Sequence, residues 1–184
     1  MAEIRVNRAP FLTLWAAVVA QRLGYAEEEA LTLGRAIAGL TAQSKGRRLG
    51  VYEPRPAAER EKVAEERAEL GAERVEFMGR LVPCVRTPSG LRALAKAAPM
   101  DPEGVRRYLA GKFGDLLPEV EERLVALASA VPASELGTRA MDLYVRVRPD
   151  VPQGEAGWGK AGVLDLEGIS KLAAELGGQE GRSV

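Results

Sequence analysis

The sequence predicts a mainly α fold: a compact multi-helix domain of about seven helices with a minor β-hairpin near residues 75–85. Two observations support this. Good helix formers (Ala, Leu, Glu and Arg) dominate the chain, and apolar residues recur at helical spacing between Pro, Gly and Asp boundary signals. At 184 residues, 46% hydrophobic and 28% charged, we expect one soluble domain over residues 1–178 and a disordered tail over residues 179–184.

The first two helices are predicted to form a tight antiparallel hairpin. The first runs from Pro10 to about Leu23 and is apolar nearly all round, as is typical of a central core helix. The second begins at Glu27 and bears a strip of small residues at every fourth position: Ala30, Gly34 and Ala38. We interpret Gly34 and Gly39 as positions of close helix packing.

Residues 44–86 contain several stretches of different composition. Residues 44–50 form a cationic, glycine-punctuated stretch, residues 51–56 predict a Pro-containing connector, and residues 57–74 predict an exposed helix that packs weakly. Alternating apolar residues from Arg74 to Arg86 favour a short hairpin, in which Pro83 indicates a sheet edge.

Boundary signals then predict helices over residues 87–98, 101–114 and 115–131 and another from Ser134, whose end at residues 143–147 could equally be a strand. A last helix is predicted from Asp165 to Gly177-Gly178.

The composition excludes several chemistries. The chain has no histidine, so triads of the Ser-His-Asp and Cys-His types are ruled out. Cys84 is the only cysteine, and we interpret it as a small buried apolar residue. Because no catalytic pair and no metal-ligand spacing appear, we expect binding rather than catalysis, with no catalytic residue, cofactor or metal.

The glycine-rich segment at residues 154–162 fits two nucleotide-binding patterns, G-x-x-x-x-G-K and G-x-G-x-x-G. Both fail on context: Ala161 stands where a P-loop has Ser or Thr, and Gly162 would break a helix that began at Lys160. We expect a loop that folds Trp158 back as a buried hydrophobic plug. A weaker alternative is a small anionic ligand held by Trp158, Lys160 and backbone amides.

Charge is unevenly distributed although its total is zero. Residues 1–52 hold 7 basic and 4 acidic side chains, residues 79–114 hold 7 and 2, and residues 53–78 hold 5 and 8. If the basic blocks meet in space, they would form a cationic face suited to a phosphate backbone. Its candidate residues are Lys45, Arg47, Arg48, Arg86, Arg92, Lys96, Arg106, Arg107 and Lys112.

Nucleic-acid binding is therefore the first hypothesis for the function. The alternative for the basic residues is that they are solvated helix faces paired with the acidic blocks. A second hypothesis is a protein-interaction module, such as a homodimer formed through apolar helix faces. The longest uncharged run, Ala9 to Gln21, is too short to span a bilayer, so we expect a cytoplasmic protein that contacts no membrane.

Two stretches resemble a family of uncharacterised bacterial proteins of about this length. They are the opening, from Val6-Asn7-Arg8-Ala9-Pro10 through Leu14-Trp15 to Ser44-Lys45-Gly46, and the Gly157-Trp158-Gly159 loop with Leu164-Asp165-Leu166. The resemblance implies no activity, cofactor or site residue.

Overall fold

The structure is a computed structural model that describes residues 3–50, 53–152 and 159–180. Helices dominate it, which confirms the mainly α prediction. The helices are α1 (Arg8–Arg22), α2 (Glu27–Leu49), α3 (Ala57–Glu69), α4 (Pro102–Phe113), α5 (Leu117–Ser129), α6 (Ala133–Val147) and α7 (Leu166–Glu180). The strands are β1 (Ile4–Asn7), β2 (Glu73–Phe77), β3 (Arg80–Thr87), β4 (Gly90–Ala95), β5 (Ala98–Pro99) and β6 (Ala161–Leu164).

Helix α1 lies at the centre of the core, as its all-round apolar sequence predicts. Every residue from Pro10 to Ala20 is buried, and the Trp15 indole Nε1 donates to the carbonyl of Ala140 on α6 at 2.9 Å. Helices α2, α4, α5 and α6 all contact α1. The fold is therefore arranged around one helix that has no solvent face over most of its length.

The hairpin of α1 and α2 is confirmed, and Gly34 is the residue that permits its close packing. A Cβ atom at Gly34 would lie 2.4 Å from the carbonyl oxygen of Thr13 and 2.9 Å from the amide nitrogen of Ala17. The close-packing interpretation of Gly39 is wrong. No atom lies within 4 Å of the Cβ position there, because Gly39 faces an open cleft rather than α1.

The predicted β-hairpin is confirmed as β2 and β3, paired antiparallel from Glu73↔Cys84 to Phe77↔Arg80. Its two-residue turn is Met78-Gly79, with φ of 50° and 77°. Such turns normally use Asn-Gly or Gly-Gly, since a side chain is strained at positive φ. Met78 is nevertheless 4% exposed and packs in the hydrophobic core, so burial of its side chain offsets the strained backbone.

The helix predicted over residues 87–98 is wrong, because this segment forms β4 and β5. The four-stranded sheet has the antiparallel order β2-β3-β4-β5. Residues 91–95 have helical propensity, yet β3 already offers an edge for pairing, and Leu91, Ala93 and Leu94 are all buried in the extended form. Tertiary burial therefore overrides local preference.

Side chains of α2 cover the free edge of β4. The Leu91 N–H donates to Oε2 of Glu29 at 2.8 Å, and the Ala93 N–H donates to Oγ1 of Thr32 at 3.1 Å. Glu29 also accepts from the Ala26 N–H at 3.0 Å, which caps the start of α2. A carboxylate and a hydroxyl thus take the place of a neighbouring strand, and they fix α2 against the sheet.

A second small sheet, unpredicted from the sequence, pairs the first strand with the strand that precedes the last helix. Strand β1 pairs antiparallel with β6 from Ile4↔Leu164 to Asn7↔Ala161, and Asp150 bridges to Val163 on the other side of β6. A Cβ at Gly162 would lie 2.7 Å from the Asp150 carbonyl oxygen. Gly162 is therefore required by its close contact with the backbone of Asp150.

The structure decides three helix ends. Residues 44–49, which belong to the cationic stretch, continue α2 to its C-cap Gly50, which has φ of 71°. Residues 143–147 are helical, so the strand alternative is wrong. Helix α7 passes through Gly177-Gly178 to Glu180, so residues 179–180 are helix, while residues 181–184 of the predicted tail lie outside the described residues.

The two glycines of α2 provide a matched test of its packing. We expect Gly34→Ala to destabilise the fold by about 1–3 kcal/mol, since the new methyl group meets the backbone of α1. Gly39→Ala should instead stabilise it by up to about 1 kcal/mol through helix propensity alone. Urea unfolding of both variants measures the difference, and equal effects would contradict the packing described for Gly34.

The contact of Glu29 with β4 predicts a pH-dependent stability. Hydrogen bonds from the Leu91 and Ala26 amides hold the pKa of Glu29 below its ordinary value of 4.5. Its stabilisation is therefore fully present above the unfolded pKa and is lost as the pH falls through the folded pKa. We expect Glu29→Gln to lower the free energy of unfolding by about 1–2 kcal/mol at neutral pH. The wild-type advantage should shrink under acid, and an advantage that persists at low pH would contradict the role of the charge.

Candidate anion-binding cleft

The cationic residues predicted on α2 separate onto two surfaces. Arg47 lines an open cleft between α2, α3, the four-stranded sheet and α4. Lys45 lies instead near Arg8 and Arg148. Burial lowers the pKa of Lys45 most, and the charges of Arg8, Arg148 and Arg48 lower it further. The predicted basic segment therefore does not present one continuous face.

Arg92 does not belong to a cationic surface. It is 6% exposed, and its Nη2 lies 2.7 Å from Oε2 of Glu28, so it forms an ion pair between the sheet and α2. Its Nη1 donates to the carbonyl of Leu91 at 3.0 Å. Arg92 is therefore a structural residue. Its side chain lacks the exposure that a residue of the predicted binding face requires.

Three other candidates are paired with carboxylates. Arg86 lies 3.0 Å from Glu73 across the β2–β3 pair, and Arg107 lies 3.8 Å from Asp101. Arg106 pairs with Glu103 on its own helix and lies 3.4 Å from Glu27 of α2. For these residues the structure favours the alternative stated above, in which the arginines lie on solvated surfaces and pair with nearby carboxylates.

Of the two remaining candidate lysines, Lys96 lines the cleft and Lys112 does not. Lys96 occupies the turn between β4 and β5, where its φ of 55° is left-handed, and it lines the cleft. The ammonium nitrogen of Lys112 lies 5.9 Å from the centre of the Tyr108 ring. Of the nine predicted cations, Arg47 and Lys96 are the two that line the cleft.

The cleft has a volume of about 1030 Å³ and a strongly cationic lining. Its floor is apolar and includes Leu40, Val63, Leu94 and Val105. Asp101 is the one carboxylate among the described lining residues, and it already caps α4 by accepting from the Glu103 N–H at 3.1 Å. We call this feature the arginine cleft and define it by its seven cationic residues: Arg35, Arg47, Arg55, Arg60, Arg67, Arg74 and Lys96.

Arg67 sits where the charges of the arginine cleft are most concentrated. Burial lowers the pKa of Arg67, and the charges of Arg55 and Arg74 lower it further. Its Nε donates to the carbonyl of Lys96 at 2.7 Å, which fixes α3 to the β4–β5 turn. Like charges held close together favour an incoming anion.

Tyr108 of α4 forms one wall of the arginine cleft. The guanidinium carbon of Arg35 lies 4.3 Å from the centre of its ring, a cation–π contact. Burial raises the pKa of the Tyr108 hydroxyl, while the charge of Arg35 opposes that rise. Because Arg35 covers one face of the ring, Tyr108 serves to position a guanidinium at the cleft wall.

The sequence prediction missed five of the seven cleft cations, and the reason is geometric. Arg55, Arg60, Arg67 and Arg74 fall in the block of residues 53–78, which is acidic in total. On α3, however, Arg60, Val63 and Arg67 line the cleft at helical spacing, and none of the glutamates of α3 does. A helical projection of α3 would have revealed this basic side, whereas a charge sum over the block conceals it.

The glycine-rich segment does not form a P-loop. A strand, β6, begins at Ala161 directly after Lys160, where a P-loop requires a helix. Lys160 is exposed. Trp158, predicted as a buried plug, lies in residues 153–158 outside the described part of the chain, and so does most of the predicted anion loop.

Three further findings concern Cys84, metal ligands and membrane spans. Cys84 is fully buried, as predicted, and burial raises the pKa of its thiol to about 11. Within the part of the chain that the structure describes, no group of three or more His, Cys, Asp or Glu side chains could hold a metal ion. Across residues 3–50, 53–152 and 159–180, no helix combines the length and the apolar character needed to cross a bilayer.

The described surface offers no single apolar helix face for self-association. Its large exposed hydrophobic residues lie on different elements: Leu70, Leu81, Leu116, Val125 and Val145. A homodimer therefore stays a prediction of the sequence.

Comparison with known proteins gives no relative: no family model, curated protein or solved structure matches the chain. The arginine cleft is therefore interpreted from its own geometry and charge.

The crowding of charge in the arginine cleft predicts a stability that depends on salt. We expect Arg74→Gln to raise Tm by roughly 1–2 °C at about 0.01 M salt, because it relieves repulsion with Arg67. The gain should vanish near about 1 M salt, where the screening length falls to about 3 Å. Lys62→Gln, on α3 outside the cleft lining, is the control, and an equal gain in that variant would contradict the crowding.

Proposed function

We propose that this chain binds the phosphate backbone of nucleic acid in the arginine cleft, without catalysis. The observation that supports the proposal is that seven cations line a single cleft, in a chain whose net charge is zero. The one carboxylate among the described lining residues, that of Asp101, already caps α4. Protein surfaces that bind phosphate backbones have such a basic footprint.

A contrast between the arginines supports the proposal. Of the thirteen described arginines outside the arginine cleft, seven form ion pairs with carboxylates: Arg5, Arg86, Arg92, Arg106, Arg107, Arg123 and Arg139. Within the described residues, no such pair is formed by Arg35, Arg55, Arg60, Arg67, Arg74 or Lys96. The chain has as many acidic residues as basic ones, so this separation is a property of the fold and not of composition.

The shape and chemistry of the arginine cleft favour a polymer backbone over a single small anion. Its volume of about 1030 Å³ lies at the upper end of the range for small-molecule pockets, ~300–1,000 Å³. Guanidinium groups bind phosphate oxygens in a bidentate manner. Tyr108 is the aromatic residue among the described lining residues, and Arg35 already occupies one face of its ring. Base stacking therefore contributes little, and we expect binding that does not depend on sequence.

Fluorescence anisotropy with labelled single- and double-stranded DNA and RNA tests the proposal. We expect a Kd in the range ~10⁻⁴–10⁻⁶ M at physiological salt, tightening steeply as salt is lowered. The triple variant Arg60→Gln/Arg67→Gln/Arg74→Gln should weaken binding at least about tenfold, and the salt slope should fall by about one for each phosphate contact removed.

A control triple variant separates the arginine cleft from overall charge. Arg5→Gln/Lys62→Gln/Arg139→Gln changes the net charge equally but leaves the cleft lining intact. We expect it to bind nearly as the wild type does. An equal loss in both triple variants, or no binding by the wild type at low salt, would show the proposal to be wrong.

A steric variant tests the arginine cleft without changing any charge. Gly39 lines the cleft, and no atom lies within 4 Å of the position of its Cβ. Gly39→Leu should therefore fill part of the cleft, weaken nucleic-acid binding and leave the helix intact. Gly39→Ala serves as the matched control, and unchanged binding by both variants would place the nucleic acid elsewhere on the chain.

A further inference from the structure

A second pocket lies where α1, α2, α4 and α5 meet, apart from the arginine cleft. Its volume is about 310 Å³, which is at the lower end of the range for small-molecule pockets, ~300–1,000 Å³. We call it the helix-junction pocket. None of its described lining residues lines the arginine cleft. A ligand in this pocket is therefore held by a separate set of side chains.

The wall of the helix-junction pocket is built from the hydrophobic core. Its lining includes large apolar side chains that are only 3–7% exposed: Leu14, Val18, Leu31 and Leu109. Folded cores rarely leave a space much larger than a water molecule. Here Ala17 of α1 and Ala110 of α4 also belong to the lining, and their methyl groups leave space that a longer side chain would occupy. The pocket therefore offers an apolar surface that the chain itself does not cover.

The charged residues of the lining are two glutamates and one arginine. Glu27 begins α2, Glu121 lies on α5, and both are exposed. Arg106 of α4 already pairs with Glu103 on its own helix and lies 3.4 Å from Glu27. Glu121 forms no ion pair with any residue that the structure describes. The one guanidinium is thus shared between two carboxylates while a third has no counter-charge, so the lining carries an excess of negative charge.

The size and the charge of the helix-junction pocket together define what can bind there. One turn of a helix is about 10–12 Å across and about 5.4 Å long, which exceeds the volume of the pocket, so the occupant is a small molecule and not a peptide helix. The buried wall favours an apolar body. The exposed carboxylates favour a cation, and an ammonium group offers three hydrogen-bond donors to their oxygens.

We infer that the helix-junction pocket binds a small hydrophobic amine. Its apolar body lies against Leu14, Val18 and Leu109, and its ammonium group is held at the exposed end of the pocket by Glu27 and Glu121. The amide of Gln21, which is also exposed in the lining, adds a neutral acceptor. This site does not depend on the proposed nucleic-acid binding, because it uses none of the cations of the arginine cleft.

Isothermal titration and thermal unfolding with 2-phenylethylamine test the site at neutral pH. Two compounds with the same apolar body serve as references: the neutral 2-phenylethanol and the anionic 3-phenylpropanoate. We expect saturable binding of the amine with a rise in Tm, about two- to fivefold weaker binding of the alcohol, since exposed ion pairs contribute modestly, and the weakest binding of the carboxylate. No saturable response to the amine, or an affinity for either reference that equals it, would overturn the inference.

The charge variant Glu121→Gln tests the carboxylate that has no partner. We expect it to bind 2-phenylethylamine about two- to fivefold more weakly and to bind 2-phenylethanol as the wild type does, a difference that a merely structural role would not produce. Glu122→Gln, the exposed neighbour outside the described lining, is the matched control and should behave as the wild type. Unchanged amine binding by Glu121→Gln, or an equal loss in both variants, would contradict the role of this charge.

The steric variant Ala110→Phe tests the location of the pocket. Ala110 is exposed at the lining, so a phenyl group there should fill the space and abolish measurable binding of the amine without unfolding α4. Gly111→Phe places the same group at the next exposed position, where no atom lies within 4 Å of the Cβ, and should retain binding. The Tm of both variants without amine reports whether the fold is intact. Undiminished binding by Ala110→Phe would place the amine elsewhere and overturn the inference. The triple variant of the arginine cleft should still bind the amine, so failure of one site is distinguishable from failure of the other.

Discussion

The contact on which the rest of the fold depends is the edge of β4 against α2. Glu29 and Thr32 accept the amides of Leu91 and Ala93, which no strand covers. The same helix packs on α1 through Gly34, where the backbones approach too closely for any other residue. Helix α2 therefore fixes the distance between the helical core and the sheet, and the arginine cleft lies along α2 beyond that contact.

The arrangement of charge follows from this frame. Arg92, which joins β4 to α2, is neutralised by the carboxylate of Glu28 at 2.7 Å. Where the elements diverge, between α2, α3 and α4, arginines line the gap and the described glutamates of α3 do not. A chain of zero net charge thereby acquires a local concentration of positive charge, since the potential depends on the placement of charges and not on their sum.

Helices with strong boundary signals and apolar periodicity were predictable from the sequence. For α1, α2, α4 and α5, local preference and burial agree, so capping residues and the apolar stripe suffice. Residues 87–98 could not be predicted in the same way, because their Leu-Arg-Ala-Leu-Ala pattern favours a helix until β3 and the side chains of α2 offer partners for an extended chain. The pairing of β1 with β6 was equally hidden, since it joins residues more than 150 positions apart.

In the candidate site, too, some features follow from residue identity and others from the tertiary structure. The sequence by itself excluded histidine chemistry, marked Cys84 as buried and showed that the glycine-rich segment lacks the P-loop hydroxyl, because each of these depends on residue identity alone. It also established that cationic residues are abundant, and it singled out Arg47 and Lys96. Only the tertiary structure decided which cations are paired, that Arg92 is buried, and that Arg55, Arg60, Arg67 and Arg74 meet around one cleft. The physical reason is that electrostatic interaction depends on distance through space, which is set by long-range packing and is not encoded in the order of charges along the chain.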